Sequence, residues 1–237
     1  MDLQGSPCVG IDGCPAGWLA VSRDAAGSFS GACFGSAAEL FDAFPAARTF
    51  AIDIPIGLPS KGLRATESVA RKHLFGRASS VFNTPPRACF EPGLSYEAVC
   101  QQALLLTERK ISKQSFAILP KISEVDACLR AAPGLAARVW EVHPEVSFAM
   151  LAGGSAMRRS KHSGFGFVER LRWLEAVLPG AAESVREQVA EKSASDDDVL
   201  DAVVAFWTAL RIQEGRAVAI GSARERDAHG LRMCIFA

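Results

Sequence analysis

The sequence has no excess charge of either sign: 26 Lys and Arg balance 26 Asp and Glu. A chain without a global basic field is not built for avid, non-specific adhesion to nucleic acid, which leaves local or shape-guided contact. It also lacks any C-x-x-C pair among its seven cysteines. The odd count and the spacing argue against zinc ribbons and a disulfide framework, and favour reduced thiols in a cytoplasmic protein. The opening MDLQGSPCVG has neither the basic n-region nor the apolar h-region of a signal peptide. No run reaches the roughly 18 uncharged apolar residues of a membrane span. Internal repeats and low-complexity tracts are absent too. What is present is 237 residues, 49% of them hydrophobic. That is enough core for one large domain spanning 1–237 with an insertion.

The pattern along the chain changes three times. CVGID, GWLAVSRD and GSFSGACF read as consecutive strands, the last two joined by a tight Ala-Ala-Gly-Ser turn. SAAELFDAF carries a Ser N-cap and helical spacing, and TFAIDIPIGLP is apolar enough for a central strand. From about 60 to 137 the chain turns mostly helical, with ATESVARKHLF and SYEAVCQQALLLTERK separated by the loop SSVFNTPPRACFEPG. ARVWEVHPEVSF then reads as a fifth strand running into a helix, and FGFVERLRWLEAVL as a helix. ASDDDVLDAVVAFWTAL opens the last long helix, and RAVAIG and LRMCIF are late strands. Three antiparallel strands followed by βαβ-type crossovers predict an α/β fold: a mixed sheet with helices on both faces.

Acids fall at telling places on that scaffold. Asp12 ends the first strand, before Gly13. Asp53 sits in the fourth strand, where an acid among apolar residues needs a partner or an ion. Asp198 and Asp201, at i and i+3, share a face of the last helix. Convergence of these four would call for a divalent cation, Mg²⁺ or Mn²⁺, since hard cations take oxygen ligands. Two such ions about 4 Å apart suit phosphodiester hydrolysis. The alternative for the helix acids is capping and the macrodipole, with Ser193, Ser195 or Asp196 as N-cap. For Asp12 it is a turn aspartate before glycine.

VGIDGCPAGW, AIDIPIGLP, SSVFNTPPR, QSFAILPKISEVD, WEVHPEVSF, SKHSGFG and DDDVLDAVVAFWTA, in this order, resemble an uncharacterised predicted-nuclease family. That family has a ribonuclease H-like fold and is related by fold to RuvC-type resolvases. The resemblance spans nearly the whole chain. It implies a ribonuclease H-like mixed five-stranded sheet and a metal set of Asp12, Asp53, Asp198 and Asp201. It also implies a nucleic-acid partner. Cellular ribonuclease H places an acid on the first helix; here Glu39 and Asp42 lie there and read as solvated surface acids.

Softer candidates follow from the same motifs. Glu141 and His143 lie at a strand end as supplementary ligands or proton-transfer groups, or as parts of a structural turn with Glu145 capping the next helix. Lys121 and Lys161 are candidate phosphate-binding point charges. Arg87 is a candidate for the rim of the site. Glu67 stands where the family resemblance suggests an aspartate. Local basic excess around Arg64, Arg71, Lys72 and Arg77, and from Arg109 to Lys121, puts positive groups in the insertion. A phosphate backbone would need such groups, but an ordinary helix surface with scattered Lys and Arg is the commoner explanation. Trp140, Trp173 and Trp207 read as core; Trp18 reads as packed or as a base-stacking surface. The leading expectation is a Mg²⁺- or Mn²⁺-dependent nuclease without membrane association. Its rivals are a non-catalytic nucleic-acid or protein binding module and an actin-like phosphotransferase, which would need a second copy of the fold.

Overall fold

The first strand, β1 (Cys8–Cys14), alternates its side chains between two cores. Val9 and Ile11 enter one apolar cluster, and Cys8 and Cys14 enter another on the opposite face. This is the period-2 pleat of a strand buried on both sides. In the computed structural model, which describes residues 7–237, β1 is the middle strand of a five-stranded sheet. The sequence reading of a missing signal peptide rests largely on residues outside that range. Strands β2 (Gly17–Arg23) and β3 (Phe29–Phe34) form an antiparallel meander with β1.

Helix α1 (Ala37–Ala43) follows, with the Ser36 hydroxyl accepting a hydrogen bond from the Glu39 N–H. Strand β4 (Thr49–Ile52) then pairs parallel to β1. It stops one residue before Asp53, earlier than the apolar run suggested. The Asp53 N–H still donates to the Ile11 carbonyl, but Pro55 has no N–H to continue the ladder.

The insertion holds α2 (Ala65–His73), α3 (Tyr96–Thr107), α4 (Lys113–Ala131) and α5 (Pro133–Ala136). Helix α4 is longer than either helix that periodicity picked out, and it contains Pro120. An interior proline costs about 3 kcal/mol and argues against a helix. Here Leu119, Ile122, Val125 and Leu129 form a buried stripe along α4 that outweighs it.

Strand β5 (Val139–Glu141) pairs parallel to β4 and completes the order β3-β2-β1-β4-β5. Helices α6 (Pro144–Leu151), α7 (Gly164–Glu175), α8 (Ala181–Gln188) and α9 (Asp196–Gln213) come next. The short strands β6 (Ala219–Ile220) and β7 (Ile235–Phe236) form a separate antiparallel pair. Helices α7, α8 and α9 share a core with one face of the sheet, while α1, α3 and α4 cover the other. The mixed sheet clad on both faces is an α/β architecture consistent with a ribonuclease H-like fold.

The decisive contact is α9 on β1. A Cβ added to Gly10 would lie 2.0 Å from the Phe206 nitrogen and 2.4 Å from the Ala202 carbonyl oxygen. Only glycine lets the helix backbone rest on the strand this closely. Trp173 departs from the core expectation: it is exposed, because the buried stripe of α7 runs through Gly166, Arg170 and Leu174. Among the described residues, no helix is long and apolar enough to cross a membrane.

Candidate active site

Asp12 and Asp53 leave neighbouring parallel strands at the same end of the sheet. Ile11 is opposite Ile52, so these two aspartates are the next pair in register. Both continue the alternation that turns Gly10 and Ala51 toward α9. The seating of α9 on Gly10 brings Asp201, only 3% exposed, to the same place. Each of the three carboxylates feels the field of others in the group or of Lys161.

Lys161, from the segment between α6 and α7, supplies the counter-charge. Its Nζ is 2.5 Å from Asp201 Oδ2. Burial alone would lower the lysine pKa; Asp201, Asp12 and Asp53 outweigh it and hold the ammonium charged. Three carboxylates against one ammonium leave an excess of negative charge. Burial, then Asp201, then Asp53 push Asp12 well above the usual carboxylate range. Burial raises Asp53 to about 7, against the pull of Lys161 and with help from Glu141 and Glu145. Asp201 rises to about 6, again chiefly by burial. Its second oxygen, Oδ1, is buried with no hydrogen-bond partner.

Asp198 has a different task. Its carboxylate accepts a 2.7 Å hydrogen bond from the Ser195 N–H, while the Ser195 hydroxyl accepts one from the Asp198 N–H. This capping box starts α9, with Ser195 as the N-cap. Asp198 still adds to the negative field at Asp12.

The acids open into a cleft of ≈ 470 Å³ lined by Asp53, Asp201, Lys161, His143, Glu145 and Arg77, among others. His143 lines the cleft; burial lowers its pKa against the opposing pull of nearby acids, and its Nδ1 is unpartnered. Glu145 caps nothing; Arg170, 1% exposed, clamps it through bonds of 2.6 and 2.8 Å. Arg170 was not among the sequence candidates. An arginine inside ERLRW reads as helix surface, and only the packing of α7 on α6 reveals it.

Other candidates are drawn elsewhere. Glu141, expected as a ligand or proton-transfer group, lies opposite Ile52 and so faces the other side of the sheet from Asp53. It accepts from Arg64 at 2.6 Å and from the Ile56 N–H at 2.8 Å. Because β5 ends at Glu141, His143 is free of the pleat and the two separate. Lys121, the other expected phosphate ligand, donates to the Gly17 carbonyl and lies 4.4 Å from the centre of the Trp18 ring. It touches the Gly13 side of β1, across the sheet from Lys161. Trp18 is fully buried, donating to Glu124 at 3.1 Å. Arg87 does not rim the cleft; it ties Asp126 to Asp227, at 2.5 Å each. Glu67 is buried, accepts from the Thr84 N–H and faces Arg64 at 3.7 Å. Glu39 and Asp42 are exposed, as expected.

A protein-family profile described as "Protein of unknown function (DUF429)" matches residues 10–226. The chain belongs to the DUF429 family. The match begins within β1 and runs past β6, so in this DUF429 chain it takes in all four aspartates and Lys161. No curated protein and no solved structure matches the chain significantly.

The set offers oxygen donors in excess of their counter-charge, including an unpartnered buried oxygen on Asp201. That chemistry fits a hard divalent cation. Among the described residues, no group of three or more His, Cys, Asp or Glu side chains is already arranged to hold one. The DUF429 site is thus compatible in donor type but not preformed, and Lys161 supplies the positive charge.

Proposed function

We propose that the protein is a Mg²⁺- or Mn²⁺-dependent nuclease with a RuvC-like arrangement of acids, hydrolysing phosphodiester bonds of nucleic acid. The observation that carries this reading is the gathering of Asp12, Asp53 and Asp201 around a single lysine, with Asp53 and Asp201 lining an open cleft. Repulsion among buried carboxylates costs folding energy, which an active site recovers by binding a cation. Asp12, Asp53 and Asp201 would hold the cation, with Asp198 adding charge from the capping box. Such an ion supplies Lewis acidity and a water of lowered pKa. Lys161 stands at hand as a point charge for a phosphate oxygen. Neutral His143 can accept a proton at the cleft wall. The Glu145–Arg170 clamp fixes that wall.

The test is a panel of single-stranded, double-stranded, hybrid and branched substrates with Mn²⁺. Cleavage should vanish in Asp53→Asn, and equal cleavage by that variant would expose a contaminant. A non-catalytic binding module is the second reading, favoured by the Lys161–Asp201 pair and the lack of a preformed cation cage among the described residues. Calorimetry separates the two: the nuclease reading expects Mg²⁺ binding that Asp201→Asn abolishes. The actin-like reading finds little support, since the described residues hold one five-stranded sheet and one two-stranded pair.

A further inference from the structure

The acid cleft does not end at its own rim. Ser79 and Gln114 line it and also line a second cleft of ≈ 280 Å³ in the insertion. The two clefts therefore adjoin at these residues, and the second is the more basic. The first carries Asp53, Asp201 and Glu145 beside Lys161, Arg77 and Arg170. The second carries Arg71, Arg109 and Lys110, with no Asp or Glu along its lining. In a chain whose charges balance, the one-signed lining of the second cleft is a local basic excess.

The three bases are available in different ways. Arg71 is fixed: its Nε donates to the Val81 carbonyl at 3.1 Å, and Nη2 to Asn83 Oδ1 at 2.5 Å. Arg109 and Lys110 are exposed, and neither side chain is in an ion pair among the described residues. Arg77 lines the acid cleft and carries the positive charge toward the junction. Phe82 and Leu63 give the second cleft an apolar wall. Bases lining a groove beside an apolar surface are what a polynucleotide strand with unpaired bases requires.

We propose that the two adjoining clefts are a binding track for single-stranded nucleic acid. The strand's flanking phosphates lie on Arg71, Arg109 and Lys110, and its next phosphate reaches the acid cleft. This deepens the nuclease reading and rests on it for the role of the acids, but strand binding itself needs no cleavage. Phosphates supply the recognition, so DNA and RNA both qualify at this level.

Fluorescence anisotropy with labelled ten-nucleotide oligo-dT and oligo-U, in EDTA, tests the track with the full chain in the Asp53→Asn background. Arg109→Ala/Lys110→Ala should bind about tenfold more weakly and lose about 1.4 from the slope of log K against log salt, two phosphate contacts at ~0.7 each. These side chains are exposed, so thermal melting should stay unchanged. The control Arg48→Ala/Lys192→Ala, also exposed, should bind like its parent. Equal losses in both double variants, or equal affinity for a duplex of the same length, would overturn the track. Weaker binding of only oligo-dT or only oligo-U by the second-cleft variant supports it and names the sugar. With Asp53 restored and Mn²⁺ in place of EDTA, strand binding without cleavage would sink the nuclease reading and leave the track standing. Cleavage with unaltered binding in the second-cleft variant would do the reverse.

Discussion

Lys161 and Asp201 meet at 2.5 Å inside a group of three aspartates, two buried and Asp53 half-buried, so one ammonium holds a charge that two further carboxylates share. The pair balances the site without neutralising it. That imbalance governs how the protein should respond to pH, cations and mutation.

Removing the ammonium leaves the acids unopposed. Lys161→Met should cost roughly 2 kcal/mol at pH 8 in EDTA, discounted from the fully buried case because the lysine is partly exposed. Mn²⁺ should restore more stability to this variant than to the wild type. Thermal melting of both proteins with and without Mn²⁺ gives the answer, and an equal Mn²⁺ response would argue that the acids take no cation.

The raised carboxylates fix the sign of the pH dependence. Asp53 and Asp201 bind protons more tightly folded than unfolded, with folded values of about 7 and about 6 against an ordinary 3.8. Their contribution to stability is full below about pH 4 and is lost as pH rises through 6 and 7. Melting temperature should therefore fall from pH 5 to pH 8 in the absence of cations. Asp53→Asn should flatten that fall. A slope identical in the variant would mean that Asp53 titrates normally.

Glu141 and Arg64 form a buried pair away from the cleft, and Glu141→Leu should cost about 3 kcal/mol by leaving the guanidinium with only the more distant Glu67 for counter-charge. Urea unfolding measures this. Mg²⁺ affinity by calorimetry should be unchanged wherever the variant remains folded. A selective loss of cation binding would return Glu141 to the site.

Gly10→Ala tests the seating of α9. The new Cβ would meet helix backbone, which cannot rotate away, so the helix must lift from β1. A loss of about 3 kcal/mol or more is expected. The pH dependence assigned to Asp53 and Asp201 should shrink with it, because the two acids then separate. Full stability in Gly10→Ala, by urea unfolding, would refute the close approach.

Much of the fold was legible because its signals are local. The period-2 runs of the first strands, the Ser36 cap and the Ser195-Asp-Asp-Asp start of α9 each depend on a few adjacent residues. Helix α4 was hidden by Pro120, whose local cost says nothing of the stripe it is packed on. The site was legible in part. Asp12 lies near the end of β1, which runs on to Cys14, Asp53 follows β4 and Asp201 is in the second turn of α9; strand order and the seating of α9 bring them together. Asp198 was expected in the metal set and Glu141 as a softer candidate, and packing gives each another partner. One is spent on a helix cap, and the other points through the opposite face of the sheet.

The sequence by itself determined which residues carry charge, where the elements start, and that acids stand at the C-terminal ends of two strands and near the head of the last helix. Tertiary structure alone decided their partners. Side chains distant along the chain become neighbours only when the α9 backbone settles on Gly10. Then burial raises the energy of each carboxylate, and proximity decides which of them Lys161 satisfies.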